Sequence, residues 1–427
     1  MKDKETKPIP TSKIHRTGKV GLTAVAVGVS EAKLRVKRSL GLGSQASENN
    51  TRETQAEKIF KTLSQLRGSA LKAAQILAQA ADFVPEQYQK VLAQAYNQAP
   101  ALNRAIVRKV FVTELGKAPE DCFDEFESEA FAAASLGQVH NAKYKGKNWA
   151  VKIQYPGIGD TLDSDLNLIK TLLKPMTSLD NLQPLLDEVH EHFILETDYT
   201  NELQELLYFK GALKESLVKI AEPLKEFSTG RILVTEKLEG LHLDDWLKTN
   251  PSQKQRNHMG QLLIDLWDYG VMHLERLHAD PNPGNFLFLP DGRLGLLDFG
   301  CIKHYQSGFK VKYRNFLEAL LTEDIMNIRS ALAAVGVTYH DDPEANRFLS
   351  ALSSWYIRPF KDKAFDFNSH HGYIKEGAYL MHKLHEHCGQ MSRDFVLTDR
   401  TWLGVYRTLE AMGATVSMDI NRKLLWS

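Results

Sequence analysis

From Thr51 to about Tyr96 apolar residues recur three and four apart. Ile59, Phe60, Leu63, Leu66, Ala70, Leu71 and Ala74 carry the pattern, and no proline interrupts it until Pro85. That spacing predicts two or three helices, and Arg104 to Leu115 continues it as another. The period then shortens. Phe123 to Ile153 holds short β-like runs, among them Asn148 to Ile153. Leu162 to Lys210 returns to helical spacing, interrupted near Pro175 and Pro184. Arg231 to Leu238 reads as a strand leading to a loop at Gly240. Leu262 to Leu277 reads as a strongly apolar helix. Asn285–Leu289 and Leu294–Leu297 flank Pro290-Asp-Gly292, which is a hairpin signal. From Phe309 onward the chain is mainly helical. Met1 to about Asn50 is polar and basic, with a Gly/Ser stretch at Ser39–Ser44, and reads as tail and linker.

Composition narrows the function classes. The 427 residues include 53 Lys plus Arg and 53 Asp plus Glu, so the net charge is zero. A chain that coats nucleic acid would be basic, because phosphate attraction dominates such binding; no nucleic-acid partner is expected. The 3 cysteines, Cys122, Cys301 and Cys388, are far apart and odd in number. They form no disulfide framework or CxxC knuckle, and they fit a reducing compartment such as the cytoplasm. No stretch reaches the roughly 18–20 apolar residues that span a bilayer.

The zero hides a polarised chain. Met1 to Arg38 carries ten Lys/Arg against three Asp/Glu. The apolar run Val20–Val29 lies among Lys13, Arg16, Lys19, Lys33, Arg35, Lys37 and Arg38. A cleaved signal sequence fits poorly, since the polar stretch Met1–Ile9 precedes a weak apolar core. Two readings stay open. One is a helix lying on an anionic membrane surface, on the inner face of the membrane. The other is a disordered basic tail with one short buried turn.

The chemistry concentrates in His278-Ala-Asp-Pro-Asn-Pro-Gly-Asn285 and Asp298-Phe-Gly300, on either side of the predicted hairpin. Loop, hairpin, loop is a way to aim two acids and an amide at one spot. An Asp-Phe-Gly triplet alone means little. Joined to H-x-D-x-x-x-x-N at this spacing, it is the catalytic-loop and metal-loop pattern of protein kinases. ATP brings clustered negative charge, so Mg²⁺ must be held by oxygen ligands, and Asn285 and Asp298 are the candidates. Asp280 is the candidate to orient the acceptor or take its proton. Ala150-Val-Lys-Ile153, on a predicted strand, supplies Lys152 for the α/β-phosphates. Glu196-Thr-Asp-Tyr-Thr-Asn-Glu202 reads as helix, with Glu196, Tyr199 and Glu202 on neighbouring positions of one side. Glu202 is the expected partner of Lys152, while Glu196 and Asp198 face elsewhere. A protein kinase would show G-x-G-x-x-G ahead of the lysine. This chain has Ala132-Ala-Ala-Ser-Leu-Gly-Gln-Val-His140, with Gly137 alone retained. Alanine lets backbone approach phosphate less closely than glycine, so a stiffer loop is expected. Ala132, Ala133, Ala134 and Gly137 would border the nucleotide, with Ser135 and Gln138 adding polar contacts. Glu236 and Leu238 fall where backbone groups of a kinase hinge would read adenine.

At these residues the sequence resembles the UbiB family of atypical kinase-like proteins, linked in bacteria and mitochondria to coenzyme Q biosynthesis. The Ala-rich loop matches Ala132–His140, the lysine matches Lys152, and the E-x-D motif matches Glu196 and Asp198. The lysine-pairing glutamate matches Glu202, and the catalytic and DFG motifs match Asp280, Asn285 and Asp298. The family's N-terminal K-x-G-Q helix matches Leu71-Lys-Ala-Ala-Gln75, giving Lys72 and Gln75, with Ala74 in place of the family's glycine. The resemblance is dense from about Thr51 to Tyr305. It implies an α+β, bilobal protein-kinase-like fold with an N-terminal helical extension. The expected segments are a basic tail (1–50), the extension (51–115), a strand-bearing lobe (116–240) and a helical lobe (241–427). In the family the K-x-G-Q helix covers the site where a protein kinase binds peptide, with its lysine near the E-x-D acids. That assigns Lys72, Gln75, Glu196 and Asp198 a regulatory role.

One further feature points the same way. Only a short segment separates Gly300 from the helix starting near Phe309, and no A-P-E motif follows. Phosphorylation of peptides is therefore disfavoured against ATP hydrolysis, or phosphorylation of an isoprenoid or quinone-like lipid. Three functions follow in order: an Mg-dependent ATPase or small-molecule kinase using ATP, a nucleotide-gated lipid-binding or scaffold protein, and an ordinary Ser/Thr kinase.

Overall fold

The computed structural model describes residues 13–39, 45–66, 102–134, 136–157 and, save positions 362 and 371, 197–419. Scattered positions between 159 and 194, and residue 424, are described as well. The chain divides into two compact units. The first gathers residues 1–201 and 223–237, and the second 202–222 and 238–427.

The first unit opens with helix α1 (Lys13–Ser39) and helix α2 (Gln45–Leu66). The tail-and-linker expectation for residues 1–50 is therefore corrected, because 13–39 form one continuous helix. The reason is a second periodicity behind the basic residues. Val27 and Leu34, seven apart, are buried, and the Thr23 hydroxyl lies 2.9 Å from that of Thr62 on α2. Ala56, Ile59 and Phe60 are buried on α2. Helix α3 (Arg104–Leu115) matches its predicted bounds. Asn103 caps it by accepting from the Ile106 amide at 2.9 Å, and Gly116 ends it with φ 68°. A short helix α4 (Pro119–Cys122) leads to the sheet.

The sheet has strands β1 (Glu125–Ala134), β2 (Gly137–Tyr144), β3 (Lys147–Gln154) and β5 (Ile232–Glu236), in the order β1-β2-β3-β5, all antiparallel. Lys145 and Gly146, both at positive φ, close the β2–β3 turn. Phe111, Phe123, Phe126, Tyr144 and Phe227 stack edge and face to fasten α3 to the sheet.

Helix α5 (Tyr199–Ala212) continues from the first unit into the second. The second unit carries strand β4 (Val218–Ile220), helix α6 (Leu243–Lys248) and helix α7 (Gln253–Tyr269), which Ser252 starts with a capping box. The predicted helix Leu262–Leu277 is revised at both ends. Above Tyr269 the helix widens into a π-turn, Gly270–Leu274, and Leu277 already lies in strand β6 (Arg276–His278). A side chain at Gly270 would come within 2.8 Å of the Arg276 carbonyl, so the chain can fold back this tightly only with glycine there. The predicted hairpin is present as β7 (Phe286–Phe288) and β8 (Leu294–Leu296), with β4 parallel to β8 on its far side. Strand β9 (Ile302–His304) pairs antiparallel with β6. Helices α8 (Phe309–Thr322), α9 (Ile325–Ala334), α10 (Pro343–Lys361), α11 (Tyr373–His385) and α12 (Arg393–Met412) complete the unit. Its core is aromatic, built on Trp267, Tyr313, Trp355, Tyr356, Trp402 and Tyr406.

Candidate active site

In the first unit the chemistry begins on β3. Val151 and Ile153 are buried, and Lys152, half-buried, points the other way. Its ammonium lies 4.9 Å from the centroid of the Tyr199 ring, a cation–π seat that fixes the lysine's direction. Two residues on, buried Gln154 donates to the Thr197 carbonyl at 2.7 Å. That bond ties the end of the lysine strand to the E-x-D segment. Sequence reading gave Gln154 no role and placed Tyr199 only as a neighbour of Glu196 and Glu202; no local signal in the mixed strand Lys147–Gln154 marks the bond that Gln154 makes.

The E-x-D segment is not helical throughout, as had been expected. Helix α5 starts at Tyr199, and Asp198 precedes it, its Oδ1 accepting the Thr200 amide at 2.9 Å. Asp198 is thus the exposed cap of α5. Glu202 lies in the first turn, where the helix dipole favours a carboxylate, and is 2% exposed. Glu196, Ser135, Lys72 and Gln75 lie outside the described residues.

The Ala-rich segment is strand rather than open loop. Ala132 pairs with Val139, Ala133 with Gln138 and Ala134 with Gly137. Gly137 is needed for packing: a Cβ there would meet the Ile153 carbonyl oxygen at 2.2 Å. Gln138, expected to reach the nucleotide, turns inward instead. It is 1% exposed, its Oε1 takes the Leu102 amide at 2.5 Å and its Nε2 lies 2.6 Å from His140 Nε2. His140 Nδ1 faces the Glu127 carbonyl at 2.8 Å, so Nδ1 carries the proton and Nε2 accepts from Gln138. Burial holds the His140 pKa below its ordinary value, which keeps this ring neutral. Glu236 ends β5, and the next amide, Lys237, donates to the Asn148 carbonyl at 3.1 Å. Leu238 opens the second unit's portion of the chain.

The second unit holds Asp280, Asn285 and Asp298. Three side chains there each accept an amide two residues ahead. Asp280 Oδ1 takes Asn282 N at 3.2 Å, Asn282 Oδ1 takes Gly284 N at 3.0 Å, and Asp298 Oδ1 takes Gly300 N at 2.8 Å. Such Asx turns fix the loop locally. The Asn285 amide nitrogen donates to the Asp280 carbonyl at 3.2 Å, and its backbone carbonyl accepts from Leu297 N at 3.0 Å. His278, buried, bonds the Asp298 carbonyl through Nε2. The Ala279 amide donates to the Cys301 carbonyl at 2.9 Å. The two loops, which carry Asp280, Asn285 and Asp298, are therefore stitched to each other at one end of the β6–β9 pair. With the Asn285 nitrogen committed, the side-chain oxygens of Asn285 and Asp298 are hard donors of the class that Mg²⁺ takes.

A family model described as the ABC1 atypical kinase-like domain matches residues 94–332. Atypical kinase COQ8, mitochondrial, of Saccharomyces cerevisiae is 27% identical over 96% of this chain and 83% of its own length. Atypical kinase COQ8B, mitochondrial, of Rattus norvegicus is 32% identical over 74% of this chain and 61% of its own. The probable serine/threonine-protein kinase abkA of Dictyostelium discoideum is 29% identical over 84% and 69%. Among solved structures, Rv3197 of Mycobacterium tuberculosis, in complex with erythromycin, superposes with a TM-score of 0.63 over 88% of this chain and 97% of that one, at 24% identity. That likeness bears on the fold, which is α+β and protein-kinase-like. By the match across more than half its length, this chain belongs to the ABC1, or UbiB-type, family of atypical kinase-like proteins.

Proposed function

We propose that the chain is an Mg-dependent ATPase or small-molecule kinase serving coenzyme Q or isoprenoid lipid metabolism. The observation that carries the reading is the stitched pair of loops presenting Asp280, Asn285 and Asp298. Asp298 and the Asn285 Oδ1 would hold Mg²⁺, and Lys152 the α/β-phosphates. Mg²⁺, when bound, neutralises phosphate charge. Asp280 would orient the acceptor, a water or a lipid hydroxyl, and take its proton. Glu202 would keep Lys152 in place, and Lys72 and Gln75 would act with Glu196 and Asp198 over the acceptor side. Peptide is a poor acceptor, because only eight residues separate Gly300 from α8 and three of them are spent pairing with β6. The test is ATP consumption by purified protein with lipid and quinone-precursor additions. Asp298→Asn should lower it about a hundredfold or more; equal turnover in both proteins refutes the assignment.

The inward turn of Gln138 favours a second reading, a nucleotide-gated lipid-binding or scaffold protein with incidental turnover. Nucleotide binding without hydrolysis under every lipid condition would select it. Either reading involves a membrane surface. On α1, Leu22, Val25, Val29 and Val36 form an exposed apolar stripe opposite Val27 and Leu34, with exposed Lys33 and Lys37 beside it. Among the described residues no helix is long and apolar enough to cross a membrane. Val25→Glu with Val29→Glu should abolish sedimentation with anionic liposomes at low salt; undiminished sedimentation excludes the stripe as the contact.

A further inference from the structure

We propose that helix α12 is the backstop of both the catalytic loop and the metal loop, and that Gly404 is a positioning residue for Asp280. A glycine inside a helix is unfavourable relative to alanine, so a mid-helix glycine calls for a packing reason. At Gly404 the reason is Pro281. A Cβ on residue 404 would fall 2.2 Å from the Pro281 Cγ and 2.5 Å from its Cβ. Pro281 directly follows Asp280. Its ring locks φ, so a push on the ring moves the Asp280 backbone instead of being absorbed by a side-chain rotation.

The same helix grips the segment after the metal loop at two points nearer its start. Asp394 Oδ1 lies 2.5 Å from the Lys303 ammonium, with both side chains about three-quarters buried. The Thr398 hydroxyl lies 2.5 Å from the Tyr305 hydroxyl, and both residues are buried. The Tyr305 ring stacks face to face on Phe309, centroids 4.2 Å apart, which seats the start of α8 on the same anchor. Buried bonds of this kind are costly to leave half-made, so they hold the segment in one register. Between the two grips, the Ala279 amide on the Cys301 carbonyl and the β6–β9 pairs transmit any displacement from one loop to the other. The spacing of Asp280 from Asp298 is thus set from behind, by a helix that lies more than ninety residues later in the chain.

This inference rests on the ATP-consuming role of the two loops, and the experiment separates the two claims. Amide hydrogen exchange of full-length protein reads the loop directly, through the Asn282, Gly284 and Asn285 amides. In Gly404→Ala these amides should exchange about tenfold faster, while exchange within α12 stays unchanged or slows, since alanine favours helix. The kcat for ATP should fall about tenfold or more with KM within about twofold, as displacement of a reacting group predicts. Adding Pro281→Ala makes room for the new methyl. The double variant should return to the exchange rates and kcat of Pro281→Ala alone. Unchanged exchange in Gly404→Ala, or no relief in the double variant, overturns the proposal. If Gly404→Ala does not fold, Thr398→Val removes the Tyr305 partner at nearly constant volume. It should speed exchange of the Ile302–Tyr305 amides and lower kcat, and wild-type behaviour there overturns the proposal equally. Wild-type protein that consumes no ATP defeats the activity reading, and the exchange measurements still decide the role of Gly404.

Discussion

The two units orient their candidate functional side chains by different means. In the first unit the polar groups next to the Ala-rich strand are consumed by packing: Gln138 on Leu102 and His140, His140 on Glu127. Gly137 is consumed by the closeness of the Ile153 carbonyl. In the second unit Asp280, Asn282 and Asp298, all half-buried, each hold an amide two residues on. One half is shaped by burial, the other by short local turns. Substitutions should therefore damage stability in the first and rate in the second.

The largest expected effect is on rate. Asp298→Asn should lower Mg-dependent ATP turnover about a hundredfold or more, with melting temperature changed little, because a ligand is lost while the amide-accepting oxygen is kept. A steady-state assay beside thermal melting reads both. The same Gly→Ala exchange made in each half then tests the contrast. At Gly137 the methyl runs into backbone that cannot yield, and a loss of about 2–3 kcal/mol is expected in denaturant titration. At Gly284 the nearest atom would be Asn282 Oδ1 at 3.4 Å, and the change should stay within about 0.5 kcal/mol. Equal losses at the two glycines would erase the distinction. Asn282→Ala removes the middle Asx turn and should cost about 1 kcal/mol, with a several-fold drop in kcat visible at saturating ATP.

The smallest effect is a pH dependence from His140. Its folded pKa is lowered from an ordinary 6.5, so the unfolded chain binds the proton more readily. The stabilisation is whole above the unfolded value. It declines as pH falls below 6.5 and bottoms out once the folded pKa is passed. His140→Gln should be less stable throughout and lack that slope, as melting temperature against pH would show.

Much of this was legible in the chain. Asp280, Asn285 and Asp298 could be found because a loop–hairpin–loop arrangement is local: the turn at Pro290-Asp-Gly292 and flanking apolar runs dictate it. Helix α3 was legible for the same reason, capped at Asn103 and stopped at Gly116. What escaped depends on distant partners. That Gln138 faces inward follows from the amide of Leu102, thirty-six residues away. That Asp198 caps α5 instead of lying within it follows from the Tyr199 amide reaching the Gly230 carbonyl, which fixes where the helix begins. Nothing in the local pattern marks Gly404, whose reason is a proline on another segment. Between a helix and a disordered tail the sequence left α1 undecided, because its basic residues mask the sparse buried positions Val27 and Leu34.

The pairing of β9 with β6 carries a mechanical consequence. The eight residues from Cys301 to Gly308 form a tether without slack. It is pinned at one end by the Cys301 carbonyl and at the other by the Gly308 amide on Glu275. Three of the eight are also paired with β6, which leaves little free length between the pins. To loosen it, the strand pair must be unzipped, and each of its backbone groups would need a new partner. A chain wired this way cannot be thrown on or off by rearranging that segment. If the proposed activity holds, control would then fall to what occupies the site and not to a hinged loop.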